Sequence, residues 1–273
     1  MSIDIVSDIS ISDRLLTAYF QSGWRGFHRV WHLVRTKKKQ PFVTAYNKYG
    51  VKLFLSPIDY IDSFVLLSGY YESEVLEAIL PFLHPGAVLW DIGANFGLHA
   101  ITAKHLKPEA RVICIEPSPL MIARMHANSR LNNVNVEMIS IALSDSPGFK
   151  HLHLVEGNPG MTTLKPVKPA NYSSKVICWC DTGDNIVAAK ALPSPTVIKL
   201  DVEGSEVEVL RGLKNVLRET CVEAVILEGD PNLLRRADSE LYKILTSAGF
   251  NIKSLTRNEK TQHHLENFIA ARN

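Results

Sequence analysis

The 273-residue chain is poor in several things that would assign a class at once. No apolar run approaches the roughly 18 to 20 residues that a membrane span needs, which predicts a soluble, cytoplasmic protein. Cysteine is scarce, and Cys114, Cys178, Cys180 and Cys221 are scattered through apolar stretches. Their one close pair is C-x-C, neither the redox spacing nor a zinc-ribbon spacing, so reduced core thiols are expected. Met1 to Asp13 carries acidic side chains and no basic segment followed by an apolar core, so a secretory leader is not expected. The net charge of +2 is too small to imply nucleic acid by itself. Neither phosphate-binding fingerprint, G-x-G-x-x-G or G-x-x-x-x-G-K-[ST], occurs at a strand-to-helix turn. There is no internal repeat and no low-complexity tract.

What is present is enough apolar material, 46% of residues, for one large domain or a domain with a small appendage. Leu16, Phe20, Trp24, Phe27, Trp31 and Val34 recur at steps of three and four, which predicts an amphipathic helix over 15–34. Basic residues from Arg25 to Lys39 lie along and just after it. Phe42–Ala45 and Val51–Leu55 flank the turn signal Asn47-Lys48-Tyr49-Gly50 and predict a β-hairpin. A helix over Ser73–Leu83 ends at Pro85-Gly86. Beyond it, strands and helices alternate: strand Ala87–Asp91, helix Leu98–Leu106, strand Arg111–Glu116, helix Pro119–Leu131 and strand Val136–Ala142. The alternation resumes with strand Thr196–Asp201, helix Ser205–Arg211 and strand Cys221–Glu228. Weaker strands at Ile252–Leu255 and Asn267–Ala271 close the chain as an antiparallel pair.

Uninterrupted apolar strands separated by helices indicate an α/β fold with a mostly parallel sheet covered on both faces. About 50 residues separate Asp145 from Thr196, far more than a crossover needs, so something is inserted there. His151–Leu154 and Val176–Trp179 read as strands around a turn at Gly157–Gly160, followed by a short helix near Asn185–Ala191. The chain thus divides into a helix-and-hairpin extension over 1–64, a lid or interface, and a domain over 65–273 with an insertion at 146–195.

Ligands of open α/β sheets sit beyond the carboxyl ends of the strands, so the first strand-to-helix turn carries the information. It reads Asp91-Ile92-Gly93-Ala94-Asn95-Phe96-Gly97. Gly93 and Gly97 let the backbone turn sharply and approach a neighbour closely. Asp91 would oppose a pyrophosphate but suits the ammonium group of an amino acid. Nineteen residues after Gly97 the second strand ends in Glu116, whose carboxylate can accept from both hydroxyls of a ribose. An amino-acid end and a ribose together describe S-adenosylmethionine, with S-adenosylhomocysteine as product.

In order along the chain, Gly69-Tyr70-Tyr71-Glu72, Asp91 to Gly97, Glu116-Pro117, Ala142-Leu143-Ser144-Asp145 and Ile198-Lys199-Leu200-Asp201-Val202-Glu203-Gly204-Ser205-Glu206 resemble the FkbM-type methyltransferases. The resemblance runs from about Val51 to the C-terminus, and K-x-D-x-E-G-x-E is its most specific stretch. It implies the class I methyltransferase fold, Rossmann-like, with a seven-stranded sheet. It also implies a cofactor site lined by Glu72, Asp91, Gly93, Ala94, Asn95, Gly97, Glu116 and Ala142, and methylation of a hydroxyl on a sugar, glycan or secondary metabolite. The sequence departs from the family at Thr182-Gly183-Asp184, where Gly183 stands in a leucine position.

Methyl transfer to an alcohol leaves the protein to align the acceptor and take its proton. Period-two geometry puts Lys199, Asp201 and Glu203 on one side of their strand. Asp201 is the first candidate for the group nearest the methyl and Glu203 the next. The competing account makes both of them loop acids at the start of the following helix, where acids are favoured. Glu206 fits a cap or a cofactor contact better than a base. His99, just after the glycine turn, is the first histidine candidate, ahead of His151 and His153. No metal is expected, since Asp201 with Glu228 or Asp230 makes no visible cluster.

The expected partner is a small-molecule or glycan acceptor on which Trp24, Trp31, Tyr172 and Trp179 could stack. The 15–39 segment reads as a helix packed on the domain or in a homodimer contact, with peripheral membrane contact as the lesser alternative. The principal alternative enzyme is a nucleic-acid methyltransferase, suggested by the basic residues 25–39; no nucleic acid is expected, because N-P-P-[YF] and a catalytic Pro-Cys are both absent and the charge is confined to one helix. A binding-only scaffold is the remaining alternative, and the presence of Asp91, Glu116, Lys199, Asp201 and Glu203 together argues against it.

Overall fold

A computed structural model of the chain describes residues 42–57, 59–155, 162–165, 172–255 and 265–272. The expected helix over 15–34, its tryptophans and basic residues, and the Gly157–Gly160 turn lie outside the described residues. The chain divides into two units, Met1–Tyr71 and Glu72–Asn273.

In the first unit β1 (Val43–Tyr46) and β2 (Lys52–Leu55) pair antiparallel, as the turn signal predicts. Asn47 builds the turn: its side-chain oxygen accepts from the Tyr49 amide at 2.9 Å and the Val51 amide at 3.1 Å. A helix that the sequence pattern did not mark, α1 (Tyr60–Ser68), follows and stops at left-handed Gly69.

The second unit holds α2 (Ser73–Ile79), β3 (Val88–Ile92), α3 (Leu98–Leu106), β4 (Arg111–Ile115), α4 (Pro119–Leu131) and β5 (Glu137–Ile139). After an intervening second sheet and α5 (Gly183–Ala188) come β9 (Val197–Leu200), α6 (Glu206–Gly212), β10 (Ala224–Gly229), α7 (Pro231–Leu234), α8 (Glu240–Ser247), β11 (Asn251–Ser254) and β12 (Glu266–Ala271). The large sheet runs β11-β12-β10-β9-β3-β4-β5, with β12 alone antiparallel to its neighbours. This is the class I methyltransferase fold, mostly parallel with helices on both faces. Chain order reverses at β3, which lies between β4 and β9, so the carboxyl ends of these three strands frame the ligand crevice. β3, β4 and β9 are almost wholly buried, which is why they read as unbroken apolar runs.

Two sequence expectations change here. The strand expected over Val136–Ala142 is two strands. β4 ends at Ile115, so the chain beyond Ile139 has no partner in the large sheet. Ala142 and Leu143 form β6, which pairs in parallel with Cys180 and Asp181 of β8 (Tyr172–Asp181). β8 also pairs antiparallel with β7 (Gly148–Val155), giving a three-stranded sheet ordered β6-β8-β7. Its inner face buries Ala142, Leu152, Cys178 and Cys180 against Leu154 and Leu164. Cys221, expected in the core, is exposed because it sits in the turn before β10, while the other three cysteines are buried thiols.

Gly183 also finds its explanation. A Cβ there would lie 2.2 Å from a Leu213 methyl, so Leu213 already fills the space a side chain at 183 would occupy. The flanking residues do local work: the Thr182 hydroxyl accepts from the Asn185 amide and starts α5, and Asp184 accepts from the amides of Asn215 and Val216.

Candidate active site

Immediately after β3 the chain passes through three left-handed residues, Gly93 (φ 76°), Asn95 (φ 52°) and Gly97 (φ 85°). The amides of Gly93 and Ala94 donate to Ile115 O at 2.9 and 3.4 Å, which folds the turn over the end of β4. Both glycines answer to protein neighbours. A Cβ on Gly93 would stand 1.7 Å from the Asp201 carbonyl oxygen, and one on Gly97 would meet Met125 and Ile101 within 2.8 Å. The turn can therefore be closed only because β9's end slides past it without a side chain between.

Glu116, one residue beyond β4, is buried and accepts from two backbone amides: Asn95 N to Oε2 at 2.9 Å and Ser118 N to Oε1 at 2.8 Å. Burial pushes its pKa up to about 7, with the Ser118 and Asn95 amides pulling the other way. A carboxylate offers about four acceptor positions, so two remain for incoming hydroxyl donors.

On the other side of β3 the register sets Asp91 beside Lys199. The Lys199 ammonium, 6% exposed, lies 3.1 Å from Gly93 O, 3.1 Å from Asp201 Oδ2 and 3.5 Å from Asp91 Oδ1. Burial works to discharge Lys199, but Asp201 and Asp91 outweigh it and hold the ammonium above its ordinary pKa. Burial raises the Asp91 pKa, opposed by Lys199. The Lys199 ammonium and the Ala100 amide act on Asp91 without reaching close hydrogen-bond geometry at either oxygen, so this buried carboxylate still has capacity for a donor. Asp201 is the open member of the group, at 31% exposure.

Glu203 and Gly204 take consecutive left-handed conformations, φ 53° and 92°. Burial, then Asp201, Glu228 and Glu206, push the Glu203 pKa up to about 9, so it holds its proton at neutral pH. The loop before the helix is braced by Glu206, whose Oε1 accepts from the Gly204 amide at 3.1 Å and the Val202 amide at 3.3 Å, while the helix itself starts at Ser205 without a side-chain cap. His99, in the first turn of α3, is buried, and burial followed by the Lys199 charge drives its pKa well below the usual imidazole range. The field of Glu72, which precedes α2 at φ 53°, reaches Lys199.

The structure thus gathers Glu72, Asp91, Gly93, His99, Lys199, Asp201 and Glu203 about one end of β3 and β9, and joins Asn95 to Glu116 at the end of β4. Ala142 lies apart from that sheet, buried in β6. Two residues without any motif signal also reach the site. The buried Thr163 donates its hydroxyl to Glu203 O at 2.9 Å, and Lys165 Nζ lies 3.4 Å from Gly204 O. Among the described residues no group of three or more His, Cys, Asp or Glu is placed to hold a metal.

The strand order and the glycine turn fit an S-adenosylmethionine-dependent methyltransferase, and the family match identifies the chain as one. Residues 91–252 match the Methyltransferase FkbM domain, and the chain belongs to that family. It is 28% identical over 201 residues to the hexuronic acid methyltransferase AglP of Haloferax volcanii, covering 73% of this chain and 79% of that one. It is 24% identical over 201 residues to the 31-O-demethyl-FK506 methyltransferase FkbM of Streptomyces tacrolimicus, covering 62% and 75%. A more distant likeness, TM-score 0.45 at 11% identity and 86% of each chain, is to M. jannaschii TYW2 in complex with AdoMet.

Proposed function

We propose that this enzyme methylates an oxygen of a sugar, with Asp201 as the group that takes the acceptor's proton. When bound, S-adenosylmethionine supplies an electrophilic methyl on a sulfonium and leaves as S-adenosylhomocysteine. The residues present fit that cofactor: Asp91 offers a buried carboxylate with unused acceptor capacity for its ammonium, and Glu116 keeps two acceptor positions for its ribose hydroxyls. Gly93, Ala94, Asn95 and Gly97 form the turn between these two acids, with Glu72 at its margin.

The observation that carries the base assignment is the contrast among the four candidates. Lys199 is held as a cation between two acids, Glu203 is pushed toward its protonated form by burial and by Asp201, Glu228 and Glu206, and His99 is buried with a weakened basicity. Asp201 is partly exposed, and the Lys199 ammonium on its Oδ2 keeps it fixed. Lys199 is then a positioning residue that ties Asp201, Asp91 and the Gly93 carbonyl into one geometry. Among the relatives, the hexuronic acid methyltransferase AglP supports a sugar acceptor and the 2-O-methyltransferase NoeI of Sinorhizobium fredii supports transfer to oxygen. We place the enzyme in the cytoplasm, in keeping with cysteines left as thiols. No described helix is long and apolar enough to cross a membrane.

The test is incubation with methyl-labelled S-adenosylmethionine and a panel of uronic acids, neutral sugars and non-sugar alcohols. Label on a sugar oxygen, lost in Asp201→Asn, is the expected result. Label appearing on the non-sugar alcohols alone would overturn the sugar assignment, and full activity of Asp201→Asn would remove Asp201 as base.

A further inference from the structure

The outer face of the three-stranded sheet is composed differently from its inner face. Alternation along β7 and β8 puts Phe149, His151 and His153 on one side with Trp179, Ile177 and Lys175 directly opposite them. Phe149 is 74% exposed, Ile177 65% and Trp179 40%, and the Phe149 and Trp179 rings meet edge to face at 5.0 Å. His151 and Lys175 are exposed as well, and no acid stands among these six residues.

This face is continuous with the candidate reaction turn. His153 and Thr163 exchange backbone hydrogen bonds at 2.9 and 3.2 Å as an antiparallel bridge, so their side chains lie on the same face. Thr163 then donates its hydroxyl to Glu203 O. From His153 to Phe149 is four strand residues, or about 13 Å. A strip of aromatic, imidazole and ammonium groups therefore leads away from the turn that carries Asp201 and Glu203.

We infer that the outer face of β7 and β8 is a docking track for an oligosaccharide acceptor of acidic sugars, binding the units behind the one that is methylated. The inference rests on the sugar assignment above. Trp179 and Phe149 offer rings for the apolar faces of pyranoses, and Lys175 and the histidines offer donors for hydroxyls and carboxylates. A second copy of the chain fits the face less well. The three apolar side chains expose roughly 300–400 Å², against about 800 Å² per partner in a stable protein interface.

The test is calorimetry on the full chain saturated with S-adenosylhomocysteine, with oligogalacturonates of one to four residues as probe. The trimer should bind about tenfold more tightly than the monomer. Phe149→Ala with Trp179→Ala should erase that gain while leaving affinity for monomer and for S-adenosylhomocysteine unchanged. Trp179→Tyr, which keeps a stacking ring, should retain most of it. Equal affinity for monomer and trimer, or a trimer affinity indifferent to the double variant, would overturn the track and leave the sugar assignment standing. If no oligomer or monomer binds while S-adenosylhomocysteine does, the acidic-sugar assignment falls and the track with it. Sedimentation showing a dimer that the double variant dissociates would give the face to a second copy instead.

Discussion

Glu116 and Glu203 are both acids placed just past the carboxyl end of a strand in the same sheet, and burial raises the pKa of both. Two backbone amides face Glu116, and its pKa is pushed up to about 7. Three further carboxyls, Asp201, Glu228 and Glu206, act on Glu203, and its pKa is pushed up to about 9. The β3–β4 side of the crevice is thus organised by backbone donors and suits a neutral diol. The β9–β10 side is organised by charge, with Lys199 as the cation that makes the acids compatible. The same physical cost of burial leaves a receptor where donors face the acid and a retained proton where like charges face it.

Removing Lys199 should disturb this division most. Lys199→Met leaves Asp91 and Asp201 without their counter-charge, at a cost of about 3–5 kcal/mol. A fall in melting temperature of roughly 10 °C, measured by scanning calorimetry, is expected. An unchanged melt would mean the ammonium holds nothing together. Asp201→Asn should leave S-adenosylhomocysteine affinity within about threefold while lowering kcat by about 10²- to 10⁴-fold, the usual worth of a positioned base. A loss of cofactor affinity with kcat preserved would move Asp201 to the cofactor side of the comparison. Glu203→Gln should have the smallest effect, and a positive one. Its folded pKa of about 9 stands above the ordinary glutamate value of 4.5, so its contribution to stability is complete below about 4.5 and is lost progressively as pH rises from there to about 9. The variant should melt a few degrees higher than wild type at pH 9 and equal to it at pH 5; the reverse order would show that the neighbouring acids do not act on it.

Much of the crevice was legible in the sequence. The unbroken apolar run into Asp91, the paired glycines and the acid ending the next strand each follow from local chemistry, and β9 announces itself through Lys199 and Asp201 in the same way. What each glycine meets was not legible, because the Asp201 carbonyl that excludes a side chain from Gly93 comes from a strand more than a hundred residues later. The Val136–Ala142 run hides its break at Ser140-Ile141 for a similar reason: one serine among apolar residues is no stop signal, and only the distant partner β8 shows that the chain has changed sheets. Helix α8 does carry a readable signal, with Ser239 as cap followed by Leu241, Ile244 and Leu245. Thr163 had none, since a lone hydroxyl in an insertion looks the same whether or not it bonds to Glu203 O. The reach of Glu206 back to the Gly204 and Val202 amides was not legible either, because it depends on the left-handed conformations of Glu203 and Gly204.

The most direct measurement is the affinity of the apo enzyme for S-adenosylhomocysteine by calorimetry from pH 5.5 to 8.5, for wild type and Glu116→Gln. A ribose diol donates to the ionised carboxylate, so binding should strengthen as pH rises through about 7 in the wild type. The apo protein meanwhile loses the stability contribution of the protonated acid between about pH 4.5 and 7 and is level above that. Glu116→Gln should bind about tenfold more weakly at pH 8 and show no inflection near pH 7. A wild-type affinity flat across this range, or a variant that matches it at pH 8, would contradict the placement of the cofactor at the ends of β3 and β4.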